Sequence, residues 1–235
     1  MGNSWFQFQQ FRIHQDRCAM KISTDAVLLG ALADKKLPLG ILDIGTGTGV
    51  IGLMLAQRFS EALITGVELD PEAARQAEEN FQESPFSERL QLIEGSFQAL
   101  AEDIAYDLIV SNPPYFPDHL KSKDSKRNQA LHTDALSFEE LIKKAAKILS
   151  KDGELWIILP PRQMKDLENL AANEGLFSIR RIWVKDRKTK PVIREIVGFS
   201  RKPRAHIPTE VILKNEDGTF SDPYSNLISG FLLGF

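Results

Sequence analysis

The sequence predicts an α/β domain: a mostly parallel sheet with helices on both faces and one strand running against the rest. Three observations carry that expectation. From Leu39 onward, short apolar runs alternate with helix-like stretches. The runs are nearly continuously apolar, as strands covered on both faces are. The series closes with two longer runs, about 176–184 and 192–200, joined by only the six residues Lys185 to Lys190. So short a connection turns the chain back on itself and sets one antiparallel strand in an otherwise parallel sheet.

In chain order the expected strands are 41–44, 63–68, 90–93, 107–110, 155–159, 176–184 and 192–200, seven in all. Between the first two, residues 50–59 are apolar almost all round, which suits a helix packed deep against the sheet. Asp70, Pro71 and Glu72 open the next helix: Asp70 as cap, Pro71 in the first turn, Glu72 at the positive end of the dipole. Ser137 and Glu140 have capping-box spacing, and Leu136 with Leu141 fits a hydrophobic staple, so a helix is expected over 138–149. Gly153 hands over to the fifth strand. Pro160-Pro161 reads as an ordinary turn before a polar-faced helix that ends near Gly175. Beyond 200 the chain offers a strand at 211–213, a turn at Asp217-Gly218 and an apolar end expected to pack back. One domain is expected over 1–235: an N-terminal extension (1–38), a core (39–200) and a C-terminal extension (201–235).

The chain is 43% hydrophobic and 26% charged, ordinary for a globular protein that buries its own core. Its single cysteine, Cys18, cannot form an intramolecular disulfide, and no apolar run approaches the length of a membrane span. The start of the chain has neither the charged nor the apolar region of a signal peptide, so the expected location is the cytoplasm. No metal and no membrane partner are expected. The net charge of −3 argues against indiscriminate coating of nucleic acid, yet ten Lys or Arg face two acids between Arg180 and Arg204. A second basic cluster, Lys121, Lys123, Lys126 and Arg127, follows the fourth strand.

Asp43-Ile44-Gly45-Thr46-Gly47-Thr48-Gly49 lies where a strand gives way to a helix, the place where open α/β sheets bind ligands. The glycines allow a sharp turn and close approach to a ligand. A dinucleotide fingerprint needs Gly-x-Gly-x-x-Gly, and Val50 stands where the third glycine belongs. Asp43 would repel a pyrophosphate and suits a cationic ligand. Glu68, at the end of the second strand, can accept hydrogen bonds from both hydroxyls of a ribose. A nucleoside carrying a sulfonium and an amino-acid tail, S-adenosylmethionine, meets these requirements.

Ser111-Asn112-Pro113-Pro114-Tyr115 follows the fourth strand at the same sheet edge. Two prolines stiffen a loop that lacks two backbone donors, so it accepts but hardly donates. An amino nitrogen awaiting methylation needs that arrangement. Its N–H groups would bond to the Asn112 side-chain oxygen and the Pro113 carbonyl, leaving the lone pair aimed at the methyl carbon. Tyr115 would stack on a planar substrate, and a base within folded RNA would first have to be flipped out.

The glycine loop and Glu68 resemble those of the class I S-adenosylmethionine-dependent methyltransferases over roughly 39–200, which implies the Rossmann-like fold of that class. On that resemblance Gly45 and Gly47 pack under the cofactor, Glu68 holds the ribose, and Ser96 and Phe97 lie at the adenine, Ser96 standing where an acid is frequent. The stretches Phe8-Gln9-Gln10-Phe11-Arg12-Ile13-His14-Gln15-Asp16 and Met20-Lys21-Ile22-Ser23-Thr24-Asp25 resemble the opening of the bacterial tRNA1(Val) adenine-N6 methyltransferase family. Gly66-Val67-Glu68-Leu69-Asp70 and Asn112-Pro113-Pro114-Tyr115-Phe116 extend the likeness over nearly the whole chain. It implies a target adenine just 3′ of the anticodon. It also implies Lys21, Thr24 and Asp25 near the methionine end of the cofactor, and a binding set completed by Asp43, Thr46, Leu69 and Asn112. The expected tRNA contacts are Lys121, Lys123, Lys126 and Arg127 with Lys185, Arg187, Lys188 and Lys190.

The Asn-Pro-Pro-Tyr loop alone also fits glutamine-amide methylation of a translation factor, or methylation of DNA adenine or ribosomal guanine. An oxidoreductase is disfavoured by Val50. A non-catalytic RNA-binding relative would be expected to have lost Asp43, Glu68 or Asn112. His14 and His132 read as polar surface or loop residues, Asp16-Arg17 as a turn, and Met54 and Trp156 as core.

Overall fold

The computed structural model describes residues 4–18, 20–114 and 136–235. Strands β1 (Trp5–Gln7) and β2 (Arg12–His14) form an antiparallel hairpin. Helix α1 (Thr24–Leu32) follows, capped by Ser23, whose side chain accepts from Ala26 N. Then come β3 (Gly40–Ile44), α2 (Val50–Arg58), β4 (Leu63–Glu68), α3 (Pro71–Gln82), β5 (Leu90–Glu94) and β6 (Tyr106–Ser111). The chain continues through α4 (Phe138–Ile148), β7 (Leu149–Leu159), α5 (Pro161–Asn173), β8 (Phe177–Lys185), β9 (Val192–Ser200), β10 (Thr209–Ile212) and α6 (Asp222–Ile228).

The main sheet has the order β10-β8-β9-β7-β6-β3-β4-β5. Only β9 runs against its neighbours, pairing antiparallel with β7 and β8, while the other pairs are parallel. The expected antiparallel strand is therefore present. The sheet has eight strands rather than seven, because Thr209–Ile212 adds to β8 as an edge strand. The third expected strand, β5, forms the opposite edge and is mostly exposed, not covered on both faces.

Alternation along the strands builds two cores. Ile41, Ile64, Leu108, Val110, Trp156 and Ile158 point to one face, under α1, α2 and α6. Leu42, Val67, Ile109, Leu155 and Ile157 point to the other, under α4 and α5. Phe8 near the start and Phe231 near the end belong to the first cluster, so the apolar end does pack back. The capping box at Ser137 and Glu140 forms as expected, as does the Asp70 cap. Pro161 is not part of a simple turn: it is the first helical residue of α5, where its missing N–H costs nothing.

From β3 the chain moves outward through β4 to β5, then returns to the other side of β3 as β6. The carboxyl ends of β3 and β6 flank this reversal, the crevice where open α/β sheets bind ligands.

Candidate active site

At that reversal the glycine loop is tied to β4. Gly45 N and Thr46 N both donate to Val67 O, at 2.9 and 3.1 Å. Gly47 N donates to Glu68 Oε2 at 2.8 Å. Gly45, Gly47 and Gly49 take φ of +67, +56 and +81°, values that side-chain-bearing residues rarely adopt. A Cβ at Gly45 or Gly47 would meet nothing within 4 Å, so the loop presents bare backbone to open space.

Asp43 is the penultimate residue of β3. It is fully buried, and its Oδ2 accepts from Thr46 Oγ1 at 2.6 Å and Gly52 N at 3.2 Å, so it braces the loop from beneath. Burial, with the nearby charge of Glu68, raises its pKa to about 7 despite those two hydrogen bonds. Its Oδ1 is buried with no hydrogen-bond partner.

A cavity of about 280 Å³ opens beside the loop. It brings together Gly45, Gly47, Glu68, Leu69, Ser96, Phe97, Asn112, Pro113 and Pro114 from the expected set. Its wall is mainly apolar, with Ile44, Val67 and Ala73 adding to Phe97 and the prolines. Glu68 points one oxygen to Gly47 N and the other to Asp70 N at 3.0 Å. Ser96 is engaged as a cap, its Oγ accepting from Ala99 N at 3.3 Å. Ser111, also in the wall, donates from Oγ to Ile44 O at 3.0 Å and so ties β6 to β3 just before Asn112.

Asp43 and Thr46 lie behind the wall rather than in it. Lys21 and Thr24 are exposed and do not line the cavity, and Asp25 pairs with Arg194 at 2.6 Å. Tyr115, Phe116, His132 and the basic cluster Lys121, Lys123, Lys126 and Arg127 lie outside the described residues. Cys18 and Met20 line the cavity without having been anticipated, as do Gln98 and Leu136. Nothing in their local sequence marks them; only the packing of the N-terminal stretch on the sheet brings the first two there. Cys18 is buried near Glu68 and Asp70, and burial followed by those charges raises its thiol pKa to about 11.

The basic stretch 180–204 is largely paired within the fold. Arg181 bridges Glu168 and Glu195, Arg180 lies 3.7 Å from Asp34, and Lys202 lies 2.6 Å from Asp152. Of the hairpin residues, Lys185 meets Glu210 at 2.7 Å and Arg187 meets Asp186 at 3.8 Å. Lys188 and Lys190 are exposed and in no ion pair among the described residues. Because β8 runs parallel to β6, their turn lies at the cavity's edge of the sheet, three strand spacings or roughly 14 Å from β6.

Residues 21–171 match the methyltransferase small domain. The chain is 44% identical over 232 residues to a tRNA1(Val) (adenine(37)-N6)-methyltransferase of Pedobacter heparinus, covering 98% of each. It is 41% identical over 236 residues to the protein of that name in Parabacteroides distasonis, covering 99% of each. Among solved structures, a predicted O-methyltransferase from Agrobacterium tumefaciens shares the fold, with a TM-score of 0.67 at 23% identity over 88% of this chain and 96% of that one. With the glycine loop, Glu68 and the Asn-Pro-Pro loop gathered on one cavity, and relatives matching end to end, this chain belongs to the tRNA1(Val) (adenine(37)-N6)-methyltransferase family, built on the methyltransferase small domain.

Proposed function

We propose that this protein transfers the methyl group of S-adenosylmethionine to N6 of adenine 37 in tRNA1(Val). The observation that carries the reading is the single cavity shared by Gly45, Gly47 and Glu68 on one side and Asn112, Pro113 and Pro114 on the other. The residues suit the cofactor: bare glycine backbone and a carboxylate for ribose hydroxyls, both on the cavity. When bound, S-adenosylmethionine supplies a methyl group made electrophilic by its sulfonium.

The chain's own part is positioning. Glu68 accepts the ribose hydroxyls, and Leu69 and Phe97 offer apolar surface to the adenine. Asn112 Oδ1 and the Pro113 carbonyl accept the two N–H groups of the target amine and hold its lone pair in line. The paired prolines keep that loop stiff, and Ser111 anchors its start to β3. The nitrogen is nucleophilic once oriented, and its surplus proton leaves after transfer, so no strong base is needed. Tyr115 stacks on the flipped base. Lys188 and Lys190, with the basic cluster 121–127, meet tRNA phosphates. A single cysteine, unable to form an intramolecular disulfide, suits the cytoplasm.

Bulk tRNA lacking the modification, incubated with labelled cofactor, should acquire label in N6-methyladenosine; label in protein alone would overturn the reading. Asn112→Ala should lower kcat by about 100-fold or more through lost alignment, while affinity for S-adenosylhomocysteine stays nearly unchanged. An active variant would refute the role given to Asn112.

A further inference from the structure

The cavity owes one wall to the N-terminal stretch, through Cys18 and Met20, and two buried amides on α3 fasten that stretch. Asn80 is wholly buried. Its Oδ1 accepts from His14 N at 2.8 Å, and its Nδ2 donates to His14 O at 2.9 Å and to Thr48 O at 2.8 Å. One side chain thus joins β2, α3 and the glycine loop. One turn earlier on the same face, Gln76 is 1% exposed and its Oε1 accepts from Arg17 N at 3.1 Å. Gln15 Oε1 accepts from Ile22 N at 3.0 Å and closes the loop that carries Cys18 and Met20.

The donor pattern demands an amide. A carboxylate at 80 would face two carbonyl oxygens with nothing to donate, and an apolar residue would leave one buried N–H and two carbonyls without partners. The three groups bonded by Asn80 belong to His14, four residues before Cys18, and to Thr48, next to Gly47, so one buried amide on α3 links the two segments that carry these cavity-lining residues.

We propose that Asn80 and Gln76 are positioning residues of the reaction: by clasping His14 and Arg17 to α3, and Thr48 to the same amide, they set the separation between the N-terminal wall and the glycine loop. The proposal rests on the reading of this cavity as the cofactor's. Neither residue touches substrate. Their effect falls on cofactor affinity rather than on the chemical step, since neither amide hydrogen-bonds to Asn112 or to the Ser111–Ile44 bond beside it.

Cys18 is the chain's single cysteine, so its labelling by a chromogenic disulfide reagent reports directly whether the wall stays closed. In full-length Asn80→Ala the labelling rate, the Kd for S-adenosylhomocysteine and the cofactor KM should each rise about tenfold, the worth of a lost buried hydrogen-bonding side chain. At saturating cofactor kcat should stay within about twofold, by the same separation of binding from chemistry. Gln76→Met, nearly isosteric, should move the same three quantities by about threefold, since of its two hydrogen bonds only the one from Arg17 N holds the N-terminal stretch, the other being a long contact to Glu79 within α3. It decides the question alone if Asn80→Ala does not fold. Arg75→Gln, on the exposed side of α3, serves as the control. Unchanged labelling and unchanged Kd in the folded variants would overturn the proposal, as would a fall in kcat at unchanged KM. Wild type that fails to bind S-adenosylhomocysteine would instead overturn the reading of the cavity, and the labelling rates would still report on the clasp.

Discussion

Asp43 carries the clearest consequence at the scale of one residue. Its folded pKa is raised to about 7 by burial, whereas an unfolded aspartate ionises near the ordinary value of 3.8. Between those values the folded chain holds a proton that the unfolded chain has released, so stability falls as pH rises through that window and levels off above about 7. Asp43→Asn removes the titration while keeping an oxygen for Thr46 and Gly52. Urea unfolding across pH 4 to 8 should show a shallower decline for the variant; identical slopes would mean that Asp43 titrates normally. The residue was legible in the sequence, but its place was not. An acid two positions before a glycine loop reads the same whether it faces ligand or core, and only the closeness of Thr46 Oγ1 and Gly52 N distinguishes them. Asn112, Pro113 and Pro114 could be proposed from sequence because proline stiffness and missing donors are properties of the residues themselves, and all three line the cavity.

At the scale of elements, the glycine loop depends on a helix that is distant in sequence. Gly49 precedes α2 with φ of +81°, and a Cβ there would lie 2.6 Å from Phe81 Cε1 on α3. Both the left-handed backbone and the ring oppose a side chain, so Gly49→Ala should lower unfolding stability by about 2–4 kcal/mol. Denaturant titration would show it, and a change below 1 kcal/mol would contradict the packing described. Helices α3 and α4 could be read because their caps are local hydrogen bonds between near neighbours, Asp70 to Ala73 and Ser137 to Glu140. The β1-β2 hairpin and α1 could not. Strands of three residues give no alternation to detect, and α1 buries Ala26 through Gly30 consecutively, so it lacks the one-sided period that marks a helix.

At the scale of the whole molecule, charge and topology part company. The excess of basic residues in 180–204 predicts a broad phosphate-binding rim, yet acids from α1, α5, β9 and β10 or adjoining turns neutralise much of it. What remains at the cavity's edge of the sheet is the exposed pair Lys188 and Lys190. Replacing both with alanine should weaken tRNA binding and reduce the log–log salt slope by about 1–2, the share of two phosphate contacts. Filter binding between low and moderate salt would measure it, and an unchanged slope would remove these lysines from the interface. Among the described residues no helix is long and apolar enough to cross a membrane.

The sequence by itself determined the alternation of strands and helices and the lone antiparallel strand, and it marked the glycine loop and the Asn-Pro-Pro loop as the candidate cofactor and acceptor loops. Each rests on interactions between residues close in the chain: periodicity, caps, turns and proline geometry. The tertiary structure alone decided that β10 joins the sheet, that Asp43 is buried and braces the glycine loop, that most basic side chains of 180–204 are paired, and that Cys18 and Met20 line the cavity beside a stretch bonded to Asn80 and Gln76. Most of these outcomes depend on contacts between residues distant in the chain, 66 positions for His14 with Asn80 and 59 for Arg17 with Gln76, and even the short-range contacts of Asp43 form only once the strand is packed with its side chain inward.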